Sequence, residues 1–126
     1  MNFPNNLKYT NDHEWIRVEG TTAWVGITDY AQGELGDVVF IEVPAAGAKI
    51  TKGKSFGTIE AVKAVSDIYA PASGEILETN KEVQSTPDVV NKDPYGKGWM
   101  IKMRIDNPAD LSDLLDVEAY KKIVAK

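Results

Sequence analysis

A four-residue turn recurs in this chain at a fixed offset, and both copies sit between β-rich segments. Pro44-Ala45-Ala46-Gly47 returns as Pro71-Ala72-Ser73-Gly74, 27 residues later (71 − 44). Proline presets φ and glycine accepts positive φ, so proline, two small residues and glycine form a turn signal with a mechanism. A strand follows each copy: Lys49-Ile50 after the first, Glu75-Ile76-Leu77 after the second. Two matching strand–turn–strand units predict a pseudo-twofold β sandwich. Four residues of a common turn can also recur by chance, so the other segments have to agree.

They read as short strands punctuated by glycine. Trp15 to Glu19 and Ala23 to Thr28 flank Gly20-Thr21-Thr22, a hairpin, with Ala23, Val25 and Ile27 on one face. Asp29 to Leu35 reads as one or two helical turns, capped by Thr28 or Asp29 and stopped by Gly36. Val38 to Val43 is a continuous apolar strand interrupted by Glu42. Trp99 to Ile105 alternates: Trp99, Ile101, Met103 and Ile105 face the core, while Met100, Lys102 and Arg104 face out. Asn107-Pro108 opens a helix with Leu111, Leu114 and Leu115 as its apolar stripe, and Asp116 caps a last helix carrying Val117, Tyr120 and Val124. These C-terminal helices, about 108–125, cover the core. The Pro-, Gly- and Asn-rich Asp88 to Gly98 reads as a loop. A chain of 126 residues with this pattern suits one domain spanning 1–126.

Composition narrows the chemistry by exclusion. The net charge of −5 and the lack of a basic patch argue against nucleic acid and favour basic protein partners. No apolar run approaches the ~18 residues a bilayer span needs. The N-terminal residues Met1 to Asn6 resemble neither a signal nor a transit peptide, which fits a bacterial cytoplasm; a matured mitochondrial protein would look the same. There is no cysteine and one histidine, His13. Thiolate catalysis and cysteine-based zinc sites are therefore excluded, and His13-Glu14 lacks the second histidine of a zinc-protease helix. No metal site is expected. No Ser–His–acid motif, P-loop or dinucleotide fingerprint is present, so any redox chemistry must be carried on an attached group.

Lys63 is the candidate for that attachment. It lies between two strand-like runs, Ser55 to Val62 and Ala64 to Ala70, and its neighbours Val62 and Ala64 are small. A reversal is expected at Lys63, although Val62-Lys63-Ala64 lacks the glycine or asparagine of tight hairpins. An exposed amine titrates near ~10.4 and is a poor nucleophile at neutral pH. The nearest charges in sequence, Glu60 and Asp67, favour the cation. Lys63 therefore suits acylation by an enzyme with an activated carboxylic acid better than Schiff-base catalysis.

Blocks along almost the whole chain resemble one family. They are His13-Glu14-Trp15; Val25-Gly26-Ile27-Thr28-Asp29-Tyr30-Ala31-Gln32; Leu35-Gly36-Asp37-Val38-Val39-Phe40; Phe56 to Ala64; Ser66 to Glu75; and Asn91-Lys92-Asp93-Pro94-Tyr95-Gly96-Lys97-Gly98-Trp99-Met100. In this order together they resemble the H proteins of the glycine cleavage system. The resemblance implies a mainly β barrel-sandwich hybrid of the lipoyl/biotinyl kind, with short peripheral and C-terminal helices. It implies lipoic acid in amide linkage to Lys63. Biotinyl domains usually carry Met on both sides of the lysine, and lipoyl domains of 2-oxoacid dehydrogenases tend to have Asp before it; Val62 and Ala64 match neither.

The same resemblance implies a shuttle rather than an enzyme. A pyridoxal-phosphate-dependent glycine decarboxylase loads an aminomethyl group, a tetrahydrofolate-dependent aminomethyltransferase removes it, and the FAD enzyme dihydrolipoyl dehydrogenase reoxidises the arm. A lipoate ligase or lipoyl transferase installs the arm. Two other uses stay open at this point: a lipoyl donor or relay for other complexes, and an unmodified H-like interaction domain. The family pattern implies a cleft for the loaded arm, with Glu14 and Asp67 beside a cationic amine and His13 at its edge. Glu34 stands where some relatives have His. Glu60 and Ser66 are expected to help the ligase recognise the hairpin.

Overall fold

The computed structural model describes residues 2–125. The hairpin expected around Gly20 forms: β1 (Lys8–Tyr9), β2 (Glu14–Glu19) and β3 (Thr22–Ile27) pair antiparallel in succession, with Glu19 opposite Thr22. Gly20 turns the chain at φ 66°. The first helix, α1 (Asp29–Leu35), starts where the Thr28 side chain accepts from Ala31 N–H and stops at Gly36, whose φ of 79° only glycine adopts readily.

Next come β4 (Val38–Glu42), β5 (Lys49–Ile50), β6 (Ser55–Ala61), β7 (Val65–Tyr69) and β8 (Gly74–Thr79). Helices α2 (Lys81–Ser85) and α3 (Val89–Lys92) precede β9 (Ile101–Ile105), and α4 (Val117–Val124) ends the described chain. Two antiparallel sheets result. One has six strands in the order β1-β2-β3-β9-β8-β5, the other three in the order β4-β6-β7. Ile16, Val25, Ile41, Ile59, Ile68, Ile76, Ile101 and Met103 are almost fully buried in the main core. A second cluster, Leu7, Tyr9, Trp15 and Tyr120, holds α4 against the large sheet, with Tyr9 and Tyr120 stacked at 4.6 Å. This is the expected barrel-sandwich hybrid.

The strands that follow the two turn copies, β5 and β8, pair with each other, Lys49 opposite Glu75 and Ile50 opposite Gly74. The repeat is thus built into the sheet, yet its glycines serve different ends. Gly47 has φ 95° and open space around it. Gly74 has no positive φ; a Cβ there would overlap the Arg104 carbonyl on β9. The positive-φ explanation holds for the first copy, and close backbone approach explains the second.

Four other expectations need correction. Met100 faces the core with 0% exposure, because β9 begins at Ile101 and the alternation does not extend back through Trp99, which packs in the second cluster. The helix expected after Asn107 is a 3-10 turn, Pro108–Leu111, still capped by Asn107. Leu111 and Leu114 pack on the main core while Leu115 joins the second cluster, so no single stripe exists. The loop expected over Asp88 to Gly98 contains α3, whose Val89 and Val90 are buried. The last helix is capped by Asp116 and buries Tyr120 as expected.

The two glycines provide a test. Gly74→Ala should cost about 3 kcal/mol or more, since the added methyl meets the Arg104 backbone. Gly47→Ala should cost only about 1–2 kcal/mol, the penalty of the left-handed conformation. Urea unfolding of both variants measures the difference, and equal losses would refute the distinction.

Candidate functional site

β6 and β7 form the hairpin that raises Lys63, with Glu60 opposite Val65 and Ile59 opposite Ser66. The reversal needs no left-handed residue. Ala61 N–H donates to Ala64 C=O at 2.8 Å, and Val62 N–H donates to Asp37 C=O at 3.0 Å. The tip is therefore pinned to the connection between α1 and β4. Lys63 is exposed, and its stem lies along Gly36, where a Cβ would come 3.3 Å from Lys63 Cε.

Asn91 fixes that connection from below. Its Oδ1 accepts from Val38 N–H at 3.0 Å, while its Nδ2 donates to Gly36 C=O at 2.9 Å and to Gln32 Oε1 at 3.0 Å. Sequence reasoning placed Asn91 in a matching block and gave it no role. The fold brings it to the support of Lys63 from 28 positions away in sequence (91 − 63). No local pattern carries that information.

Beside the hairpin lies a cleft of about 260 Å³, lined by Asp12, His13, Glu14, Ile27, Tyr30, Ala31, Glu34, Leu35, Ile59, Ser66 and Asp67. His13, Glu14 and Asp67, expected from one cleft, do share it. Ser66, expected at the hairpin's recognition surface, lines it as well. Glu60 does not; it is exposed on the other side of β6. The lining combines four carboxylates with an apolar floor and contains no lysine or arginine. Among the described residues no group of three or more histidine or carboxylate side chains is placed to hold a metal ion.

The family model for the glycine cleavage H-protein matches residues 7–126. The chain belongs to the glycine cleavage H-protein family. It is 59% identical over 124 residues to the glycine cleavage system H protein of Bacteroides thetaiotaomicron, covering 98% of both chains. It is 55% identical over 121 residues to that of Carboxydothermus hydrogenoformans, covering 96% of this chain and 93% of the relative. The crystal structure of an H protein from Mycobacterium marinum superposes with a TM-score of 0.91 at 36% identity, covering 98% of this chain and all of that one. As an H protein the chain is a lipoyl-bearing shuttle of the glycine cleavage system, a carrier that works with that system's other components and not a catalyst. No helix among the described residues is long and apolar enough to cross a membrane.

In this H protein the cleft carboxylates differ in environment. Asp67 is exposed, whereas Glu14 is only 2% exposed. Its Oε1 accepts from the Thr10 hydroxyl at 2.6 Å and its Oε2 from Tyr69 N–H at 3.2 Å. Burial pushes the Glu14 carboxyl up to about 7, and the two hydrogen bonds only partly oppose this. His13 is held at φ 69°, the one left-handed non-glycine among the described residues. Its Nδ1 meets the Tyr120 hydroxyl at 2.8 Å, which in turn meets Thr28 Oγ1 at 2.8 Å. Burial lowers the His13 pKa, so the ring is neutral at pH 7.

Glu14 gives the protein a pH signature. The carboxyl titrates near 4.5 when unfolded and near 7 when folded. Between those values the native state keeps a proton the unfolded chain has released, so stability falls as pH rises through the window. The loss from this group between pH 5 and 8 should be roughly 2–3 kcal/mol. Urea midpoints at the two pH values should show it, and Glu14→Gln should remove most of it. An equally steep dependence in the variant would refute the assignment. Asn91→Ala should cost about 2–4 kcal/mol, because it deletes three hydrogen bonds and strands Val38 N–H; the same unfolding measurement checks it.

Proposed function

We propose that this chain, acting as one carrier domain, bears lipoic acid in amide linkage to Lys63. On that arm it would take an aminomethyl group from glycine decarboxylase to aminomethyltransferase, and present the reduced arm to dihydrolipoyl dehydrogenase. The observation that carries the reading is the position of Lys63. It is exposed at a pinned hairpin tip, flanked by small side chains, beside an acidic cleft. When bound, the lipoyl group supplies the disulfide that accepts the one-carbon unit, which suits a chain without cysteine.

The residues fit such an arm. Amide formation removes the ammonium charge, so the modified side chain has no electrostatic reason to stay in water. Ile27, Leu35 and Ile59 give the cleft an apolar floor. Its volume is near the low end of small-molecule sites, roughly 300 Å³ upward, and suits the end of an arm rather than a free ligand. Asp67 and Glu34, both exposed, make the rim attractive to a protonated amine, while neutral His13 adds no opposing charge. Glu14 ionises more readily beside such a cation, since an opposite charge favours the carboxylate. Tethering raises the effective concentration of the cargo at each partner. Glu60, exposed three residues before Lys63, remains the candidate contact for a lipoate ligase or lipoyl transferase; Ser66 is assigned here to the cleft as well. A cytoplasmic setting accords with the bacterial relatives.

Incubation of the apo protein with lipoate ligase, lipoate and ATP should add a single lipoyl-sized mass increment. Lys63→Ala should show none. An increment that persists in Lys63→Ala would place the arm elsewhere. The lipoylated protein should support bicarbonate exchange by glycine decarboxylase, and failure with an active decarboxylase would count against the shuttle role of this chain.

A further inference from the structure

The outer face of the three-stranded sheet is apolar next to Lys63 and acidic around that patch. Phe40, Glu60 and Val65 stand in register across β4, β6 and β7. Val39 lies at a register shift between Val38 and Phe40, so β4 leaves both Val39 and Phe40 exposed, at 56% and 47%. Val62 and Val65 are exposed at 74% and 66%. Of the six exposed valine, leucine and phenylalanine side chains among the described residues, four therefore gather beside Lys63. Such concentration marks a contact surface, whereas scattered singles need no explanation. The three strands contain no lysine or arginine; Asp67 of β7 belongs to the cleft, and the charges left for this face are Glu42 and Glu60, with Asp37 just before β4.

We propose that this outer face is where the enzyme that acylates Lys63 docks, through an apolar contact flanked by basic side chains. The proposal rests on Lys63 being the attachment point. Charge complementarity sets the partner's rim: an all-acidic surround repels acidic surfaces and steers basic ones. Geometry selects the acylating enzyme among partners that would use the arm. That enzyme must bring the lysine amine itself into its active centre, so it must touch the side chains around the tip. A partner that receives the end of a long arm can dock farther away. The face is also turned away from the cleft, because Glu60 and Val65 alternate with Ile59 and Ser66 along the same two strands. Docking there leaves the cleft open to the arm.

Steady-state acylation of the apo protein by lipoate ligase, with lipoate and ATP, tests the proposal. Phe40→Ser and Val65→Thr should each raise the KM for the carrier tenfold or more, with kcat within about twofold. Glu60→Lys should raise KM further through charge, with a weaker effect at high salt. Leu77→Ser, an exposed apolar residue on β8 outside the three-stranded sheet, should change nothing. Acetylation of Lys63 by a small activated ester should proceed equally in all variants, showing that the amine and the fold are intact. Unchanged KM in both Phe40→Ser and Val65→Thr would overturn the proposal. So would unchanged acylation combined with slower bicarbonate exchange by glycine decarboxylase, which would assign the face to that enzyme. The Lys63→Ala mass measurement is separate, so failure of the attachment reading is not confused with failure of the docking face.

Discussion

The geometry of the Lys63 tip depends on a three-way hydrogen bond from one side chain. Asn91 uses both ends of its amide to hold Gln32, Gly36 and Val38 together, where α1 ends and β4 begins. That junction presents the Asp37 carbonyl to Val62 N–H and sets Gly36 against the lysine stem. A hairpin tip without glycine or asparagine gains little rigidity from its own turn chemistry. Here the rigidity is supplied from outside, by a backbone contact whose partner is fixed through Asn91. Position is what a carrier must provide.

Elements with strong local signals were legible in the sequence. The Gly20 hairpin, the Thr28-capped α1 and the Asp116-capped α4 each carry a turn or cap residue that does what its chemistry predicts. The repeat correctly pointed to a strand after each turn, β5 and β8; that the two pair with each other is visible only in the structure. Legibility failed where tertiary packing decides. Helices α2 and α3 are five and four residues long, too short to show a period, and are held by buried Val83, Val89 and Val90. Met100 lies just before β9 and is buried beside an equally buried Ile101, so the strict alternation ends there although its N–H still donates to Val25 C=O.

The site divides in the same way. Lys63 could be singled out as a candidate for modification from its neighbours and from the chemistry the rest of the chain lacks, but lipoate rather than another acyl group came from the family resemblance. The burial of Glu14 was not legible. Carboxylates are mostly solvated, and Glu14, Trp15 and Ile16 are consecutive residues of β2 that are all buried, which alternation forbids on a one-sided strand. The exception arises because Tyr69 covers Glu14 from β7 and Thr10 from the preceding turn. A hydroxyl four residues before a carboxylate was the one local sign available. Asp67 and Ser66 reach the same cleft only through the pairing of β6 with β7, which no short motif encodes.

That pairing also explains how one hairpin serves two surfaces. Along β6 and β7, Ile59 and Ser66 turn to the cleft side while Glu60 and Val65 turn outward. A slip of one residue in the register would exchange the two sets, exposing Ile59 and carrying Glu60 toward the core. The register is held by burial of Ile59 and Ile68, each 1% exposed, and by the Ala61–Ala64 hydrogen bond at the tip. The burial that stabilises the small sheet is therefore the same constraint that keeps the acidic cleft and the apolar outer face on opposite sides of Lys63.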